Sequence, residues 1–219
     1  MKFCLILSLS AFIFLTETVS AQQPFAGEIQ AFEKQDQEHP PLKKPIVFVG
    51  SSTFRLWPEI QSYFPGKPII NRGFGGSQLS DVIYYYQQLI PKYHAKQIVI
   101  YCGDNDLANG QKSVDVVYND FVTLFTKIRQ DAPKVAVLFV SIKPSPANSR
   151  WTYREAYKKV NRRIMEFLAK QKNARFLDIW PVMLNASGEP DMSLFKPDSV
   201  HMLPEGYRRW AKLMKPLLK

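Results

Sequence analysis

The chain has 219 residues, 46% of them hydrophobic and 22% charged, with 16 Pro and 10 Gly. Those fractions exclude disordered, collagen-like and low-complexity architectures and describe an ordinary globular protein. Lys and Arg outnumber Asp and Glu by 29 to 19, a net charge of +10. The two Cys, Cys4 and Cys102, are too few for a disulfide framework.

The chain opens on Lys2 and an apolar run from Phe3 to Leu15, broken only by Ser8 and Ser10. That length suits the core of an export signal, whereas a membrane-spanning helix needs about 20 residues. Val19-Ser20-Ala21 offers small residues where a signal is cut. Cys4 lies too early to be the lipid-modified Cys of a lipoprotein, and the alternative reading is an uncleaved amphipathic anchor. A cleaved signal peptide over 1–21 would make the product exported, periplasmic or secreted, and would take Cys4 with it. Removing 21 of 219 residues leaves 198, room for one domain. Residues 22–44 read as a polar lead-in segment with a helix from Phe25 to Gln37 and then a short linker. The domain itself covers 45–219.

From Pro45 onward, short apolar runs alternate with segments of helical period. The runs Ile46–Val49, Pro68–Asn71, Gln97–Cys102, Val135–Ser141 and Arg175–Ile179 read as five strands. They lack apolar/polar alternation, as strands covered on both faces do in parallel sheets. Between them, Val114, Val117, Phe121, Leu124, Phe125 and Ile128 fall at helical steps behind a Ser113 cap. Tyr153, Tyr157, Val160, Ile164 and Phe167 repeat the pattern, and Leu203–Leu218 forms the last helix. Strand–helix alternation of this kind predicts an α/β fold, a three-layer α/β/α sandwich around a five-stranded parallel sheet.

In such sheets chemistry gathers in the loops at the carboxyl ends of the strands. Four loops there carry reactive residues: Gly50-Ser51-Ser52-Thr53, Asn71 to Ser77, Gly103-Asp104-Asn105-Asp106 and Asp198-Ser199-Val200-His201. A serine hydroxyl is a poor nucleophile without a base within hydrogen-bond reach. Of the three histidines, His39 lies in the lead-in segment and His94 has no nearby carboxylate. His201 has Asp198 three residues before it, a spacing that lets the acid hold one ring nitrogen and leave the other for the serine. Taken singly, His201 reads equally as a satisfied loop histidine and Asp198 as a turn or capping residue. The glycines around Gly76 allow close backbone approach and positive φ, and Asn105 offers a side-chain amide donor for an oxyanion. Read alone, these are a tight turn and an Asx-turn.

Gly50-Ser51-Ser52, Gly76, Gly103-Asp104-Asn105-Asp106 and Asp198-Ser199-Val200-His201, in this order and spacing, resemble the four blocks of the SGNH (GDSL) hydrolase superfamily. The resemblance runs from Pro45 to Lys219. It implies a flavodoxin-like fold, Ser52 as nucleophile, Asp198 and His201 as its triad partners, and an oxyanion hole from Ser52, Gly76 and Asn105. One position departs from the family pattern: Ser51 stands where the family usually has Asp, which leaves Ser51 as a rival to Ser52.

Other motifs fail on inspection. Gln78 stands where a dinucleotide fingerprint needs its third glycine, and Phe54 where a nucleophile elbow needs its second. Ala108 and Asn109 break a calcium loop, and three scattered His with one remaining Cys make no zinc site. No cofactor or metal is expected, and Cys102 reads as a buried strand-end residue. Trp57, Phe74, Tyr84 and Trp151 are candidates to line an acyl or sugar pocket, with core packing as the commoner fate. Arg154, Lys158 and Arg162, and Arg208, Arg209, Lys212 and Lys215, read as solvated basic faces or as contacts to anionic envelope surfaces. Nucleic acid is not an expected partner, nor is a transmembrane segment expected.

These observations lead to an exported serine esterase of short-chain esters, acting on a small-molecule, glycan or lipid ester and extending to sugar deacetylation. Thioesterase, lysophospholipase and acyltransferase chemistry on the same triad are alternatives. A non-catalytic carbohydrate- or envelope-binding module is the alternative of another class.

Overall fold

The computed structural model describes residues 23–219; the signal peptide expected over 1–21 lies outside them. A helix α1 (Ala26–Glu38) leads into β1 (Ile46–Gly50), which runs through Ser51 into the short helix α2 (Ser52–Arg55). Then come β2 (Ile69–Gly73), α3 (Leu79–Tyr84), β3 (Gln97–Tyr101), α4 (Val114–Asp131) and β4 (Ala136–Val140). The chain continues with α5 (Arg154–Leu168), β5 (Ala174–Leu177) and α6 (Pro204–Met214). The five strands form one sheet in the order β2-β1-β3-β4-β5, every neighbouring pair parallel. This is the flavodoxin-like order, with its reversal point beside β1.

Each strand faces two cores. In β1, Ile46 and Phe48 point to the side of α2 and α6, where they meet Phe54, Trp57, Tyr207 and Trp210. Val49 points the other way with Ile98, Ile100 and Cys102, toward Leu79, Phe121, Phe125, Tyr157 and Ile164 of α3, α4 and α5. Every residue of β1, β3 and β4 is buried, which explains why their sequences show no alternation. The outer strands β2 and β5 are only half covered along much of their length.

The helices begin and end where the local chemistry says. The Ser113 hydroxyl accepts the Val116 N–H at the start of α4, a cap worth about 1 kcal/mol. α6 starts at Pro204, whose missing N–H costs nothing in a first turn. α1 is less independent than its polar sequence suggests: Ile29 enters the main core, and Phe25 packs edge-on against Phe74 at 5.2 Å. Its Asp36 pairs with Arg72, 4% exposed, and with Lys92, and also accepts the Tyr93 hydroxyl. Burial would raise the Asp36 carboxyl, but Lys92, Tyr93 and Arg72 together hold it below its ordinary value. Among the described residues no helix is long and apolar enough to cross a membrane.

Where β1 gives way to α2, the backbone passes so close to β3 that a side chain has no room. Gly50 has φ +139°, and a Cβ there would stand 1.8 Å from the Tyr101 carbonyl oxygen. Gly50→Ala is therefore expected to destabilise the fold by about 4 kcal/mol or more, since both strand backbones must move. Urea denaturation measures this, and a loss near that of an ordinary surface Gly→Ala change would show the contact to be soft.

Candidate active site

Three strand-end loops and the segment before α6 converge above the carboxyl edge of the sheet. Ser52 is the first residue of α2, fixed by the tight exit from β1. Its Oγ lies 3.0 Å from His201 Nε2. On the other side of the ring, Nδ1 lies 2.7 Å from Asp198 Oδ2. Asp198 is held in turn by backbone: its Oδ1 accepts the Val200 and His201 N–H groups, each at 2.9 Å. Burial alone would raise the Asp198 carboxyl. The His201 N–H, the His201 ring and the Val200 N–H outweigh it and bring the group down to about 2. An anionic Asp198 selects the imidazole tautomer with its proton on Nδ1 and the bare Nε2 toward the hydroxyl.

The rival serine goes elsewhere. Ser51 is fully buried, and its hydroxyl donates to Asp104 Oδ1 at 3.3 Å. Asp104 sits inside the fold with Lys143, both nearly inaccessible, Nζ to Oδ2 at 3.3 Å. Lys143 also reaches Thr53 Oγ1 and the Tyr101 hydroxyl, each at 3.1 Å. Burial pushes the Asp104 carboxyl up and the Lys143 cation, with other charges and bonds, pulls it below its ordinary value. The cluster lies directly beneath the Ser52 turn.

Neither the Ser52 nor the Gly76 backbone N–H meets a protein acceptor among the described residues. Gly76 has φ +69°, a conformation that glycine adopts without strain. Asn105 donates one Nδ2 proton to the Ser77 carbonyl at 3.0 Å, leaving the other without a protein partner. Ser52, Gly76, Asn105 and His201 line one pocket of about 360 Å³, together with Glu28, Arg55, Leu56, Gly75, Arg150 and Val200.

Several of those neighbours carry no signal in the sequence. Glu28 comes from α1, accepts the Gly75 N–H at 3.0 Å and pairs with Arg55 at 3.3 Å. Arg150 comes from the loop after β4 and donates to Asn105 Oδ1 at 3.0 Å. Their spacing from the four motifs is arbitrary, so only the folded chain identifies them. Of the four aromatic candidates, Trp57 and Phe74 are core, Tyr84 is 62% exposed, and Trp151 stacks on Trp180 at 6.5 Å outside this pocket. Cys102 is buried and unpaired, as expected, and burial raises its thiol well above its usual range. His39 takes no part in the site, because Asp36 is committed to Arg72, Lys92 and Tyr93.

A depressed carboxyl contributes stability above its unfolded value and loses it as pH falls through the folded one. For Asp198 the window runs from 3.8 down to about 2. The stability difference between the native protein and Asp198→Asn is expected to be constant near neutrality and to shrink across that window. Urea denaturation at a series of pH values reads it, and a difference independent of pH would mean the carboxylate gains nothing from its partners.

Comparison with solved structures places this architecture among known folds. A Streptococcus pneumonia protein named for platelet activating factor superposes with a TM-score of 0.78 at 20% identity, over 88% of this chain and 92% of the other. A GDSL-like lipase from Bacteroides thetaiotaomicron gives 0.69 at 20% identity, over 86% and 97%. A carbohydrate esterase of family 3 from Talaromyces cellulolyticus gives 0.62 at 16% identity, over 80% and 96%. At these identities the likeness is one of fold. No curated protein matches in sequence. The family model for GDSL-like lipases and acylhydrolases matches residues 47–209, a span running from β1 through Ser52, Asn105 and His201 into α6. The chain belongs to the GDSL-like lipase/acylhydrolase family.

Proposed function

We propose that this protein is a serine ester hydrolase in which Ser52 attacks the ester carbonyl and His201 takes its proton. The observation that carries this reading is the unbroken chain Ser52 Oγ–His201–Asp198, with contacts of 3.0 and 2.7 Å. As the O–C bond forms, the carbonyl electrons move onto its oxygen. The Ser52 N–H, the Gly76 N–H and the free Asn105 Nδ2 proton are the donors offered to that charge. Protonated His201, stabilised by Asp198, then gives its proton to the departing alcohol. Water attacks the acyl-enzyme by the same route, and the acid leaves. Ser51 is set aside as nucleophile because its hydroxyl is spent on Asp104.

Pocket chemistry supports short acyl groups. Among the described residues, the wall around Ser52 has Leu56 and Val200 as its aliphatic side chains, amid Glu28, Arg55, Arg150 and glycine backbone. A long acyl chain would find little apolar surface there, at about 25 cal/mol per Å² buried. A sugar ester is a more specific second reading. The residue after Arg150 is Trp151, half-buried and stacked on Trp180, with Arg154 and Lys158 over the two rings. These rings lie beside the Ser52 pocket and already stack on one another under the two cations, so the sugar reading rests on the fold shared with a family 3 carbohydrate esterase. With the export signal read over 1–21, the reaction would take place outside the cytoplasm.

A fluorophosphonate probe is expected to label the native protein and to fail on Ser52→Ala; labelling that persists would move the nucleophile elsewhere. Asn105→Ala is expected to fold normally and to lose about 10²–10³ in kcat on p-nitrophenyl acetate. Unchanged turnover in that variant would remove the amide from the oxyanion site. Esters of rising acyl length, with acetylated sugars included, give the substrate range. A preference for long chains would overturn the short-chain reading.

A further inference from the structure

Arg150 is unusually placed for a charged residue. It sits in a short helical turn, Asn148–Trp151, after β4, and lines the pocket that holds Ser52 and His201. No carboxylate lies within ion-pair distance of it among the described residues. Its guanidinium donates instead to two neutral oxygens, Ser149 Oγ at 3.2 Å and Asn105 Oδ1 at 3.0 Å. Its Nε is buried with no partner among the described residues. The buried Asp104 carboxylate feels the Arg150 charge at a distance, but no direct ion pair is made, and this half-buried cation is aimed at the side chain offered as an oxyanion donor.

The bonding leaves the Asn105 amide one orientation. A guanidinium can only donate, so the atom facing Arg150 must be the carbonyl oxygen, Oδ1. The Ser77 carbonyl can only accept, so the atom facing it must be Nδ2. With both ends fixed, the second Nδ2 proton has one direction left to it in the amide plane. A flipped amide would set its NH₂ against the guanidinium and its oxygen against the Ser77 oxygen, losing two hydrogen bonds and bringing like dipoles together.

The turn that carries Arg150 is itself anchored to the base. The Ser199 carbonyl, between Asp198 and His201, accepts the Ser145 hydroxyl at 2.6 Å and the Ala147 N–H at 3.2 Å. The segment holding His201 and the segment holding Arg150 therefore share one point of attachment.

We propose that Arg150 is a positioning residue for Asn105: it locks the amide with its free N–H toward the reacting carbonyl and polarises that N–H through the bond to Oδ1. This rests on the esterase reading above. Because Arg150 acts through Asn105, its effect must vanish when Asn105 is gone, which a double-mutant cycle measures directly.

The test compares the native protein, Arg150→Met, Asn105→Ala and the double variant on p-nitrophenyl acetate, a neutral ester. Arg150→Met is expected to lower kcat about 10- to 50-fold with KM nearly unchanged, as for a donor felt mainly in the transition state. The double variant is expected to match Asn105→Ala within about twofold, whatever either single change costs. Arg150→Lys, which keeps the charge and one donor, is expected to fall between Met and the native residue, and serves if Arg150→Met does not fold. Losses that multiply in the double variant would overturn the proposal. So would a loss confined to KM and to esters bearing a carboxylate, which would make Arg150 an anion-binding group instead.

A readout independent of turnover separates this proposal from the esterase reading. The Asn105 side-chain NH₂ pair, assigned in ¹⁵N–¹H spectra by its disappearance in Asn105→Ala, is expected to move toward free-amide positions in Arg150→Met. Shifts that stay put would refute the locking even if the protein proved to hydrolyse no ester. Absent turnover with shifted amide signals would sink the esterase reading alone.

Discussion

Every feature of this site depends on all five strands running the same way. In a parallel sheet each strand ends at the same edge, so residues far apart in sequence can be delivered to one small volume. Ser52 and His201 are separated by 149 positions yet their reactive atoms stand 3.0 Å apart. The closeness of β1 to β3 sharpens this. With no side chain possible at Gly50, the chain turns directly out of the sheet and presents Ser52 at the start of α2, its N–H without a protein acceptor among the described residues. A bulkier residue would displace the Ser52 hydroxyl and the Ser52 N–H in the same movement.

Beneath that turn, a buried charge pair replaces what the family pattern leads one to expect. Ser51 occupies a position where an acid is usual, and Asp104 stands 3.3 Å from its hydroxyl. A second carboxylate there would face Asp104 across that distance, in an interior where like charges repel strongly. A hydroxyl instead donates a hydrogen bond, so Lys143 in direct contact, with Arg150 acting at longer range, balances a single anion. Burial lowers the Lys143 ammonium while Asp104 pulls it back up, and the remaining donors and acceptors of the cluster are taken by Thr53, Tyr101 and Tyr157. The departure from the family at Ser51 is thus consistent with its surroundings.

Much of this was legible in the amino-acid order, for identifiable reasons. Strands covered on both faces write long apolar runs, so Ile46–Val49 and Gln97–Cys102 mark β1 and β3 to within a residue. β2 was harder. Beyond the run Pro68–Asn71, Arg72 and Gly73 look like loop, yet they pair with Val49 and Gly50, because Arg72 buries its charge against Asp36 of α1. Among the aromatic candidates, Trp57 and Phe74 take the commoner fate of large rings and pack in the core. The residues that the sequence did not offer, Glu28, Arg55, Lys143 and Arg150, share one property. Each meets its partner across the tertiary fold, and nothing in its neighbours distinguishes it from a solvated charge.

That property bears on how the Gly75-Gly76 loop keeps its shape. Gly75 and Gly76 are conformationally free in an unfolded chain, and a pair of glycines does not stay ordered by itself. Here the order comes from α1, which lies outside the segment matched by the family model: Glu28 takes the Gly75 N–H and also holds Arg55 of α2. α1 is in turn fastened at its other end by Asp36 to Arg72 and Tyr93, and by Ile29 and Phe25 to the core. A polar lead-in helix thus ties the loop offering the Gly76 N–H to the helix offering the Ser52 N–H. The Gly76 and Ser52 N–H groups keep their relation to one another through a carboxylate supplied from some twenty residues upstream of Ser52, and that is why the site cannot be understood from its four motifs alone.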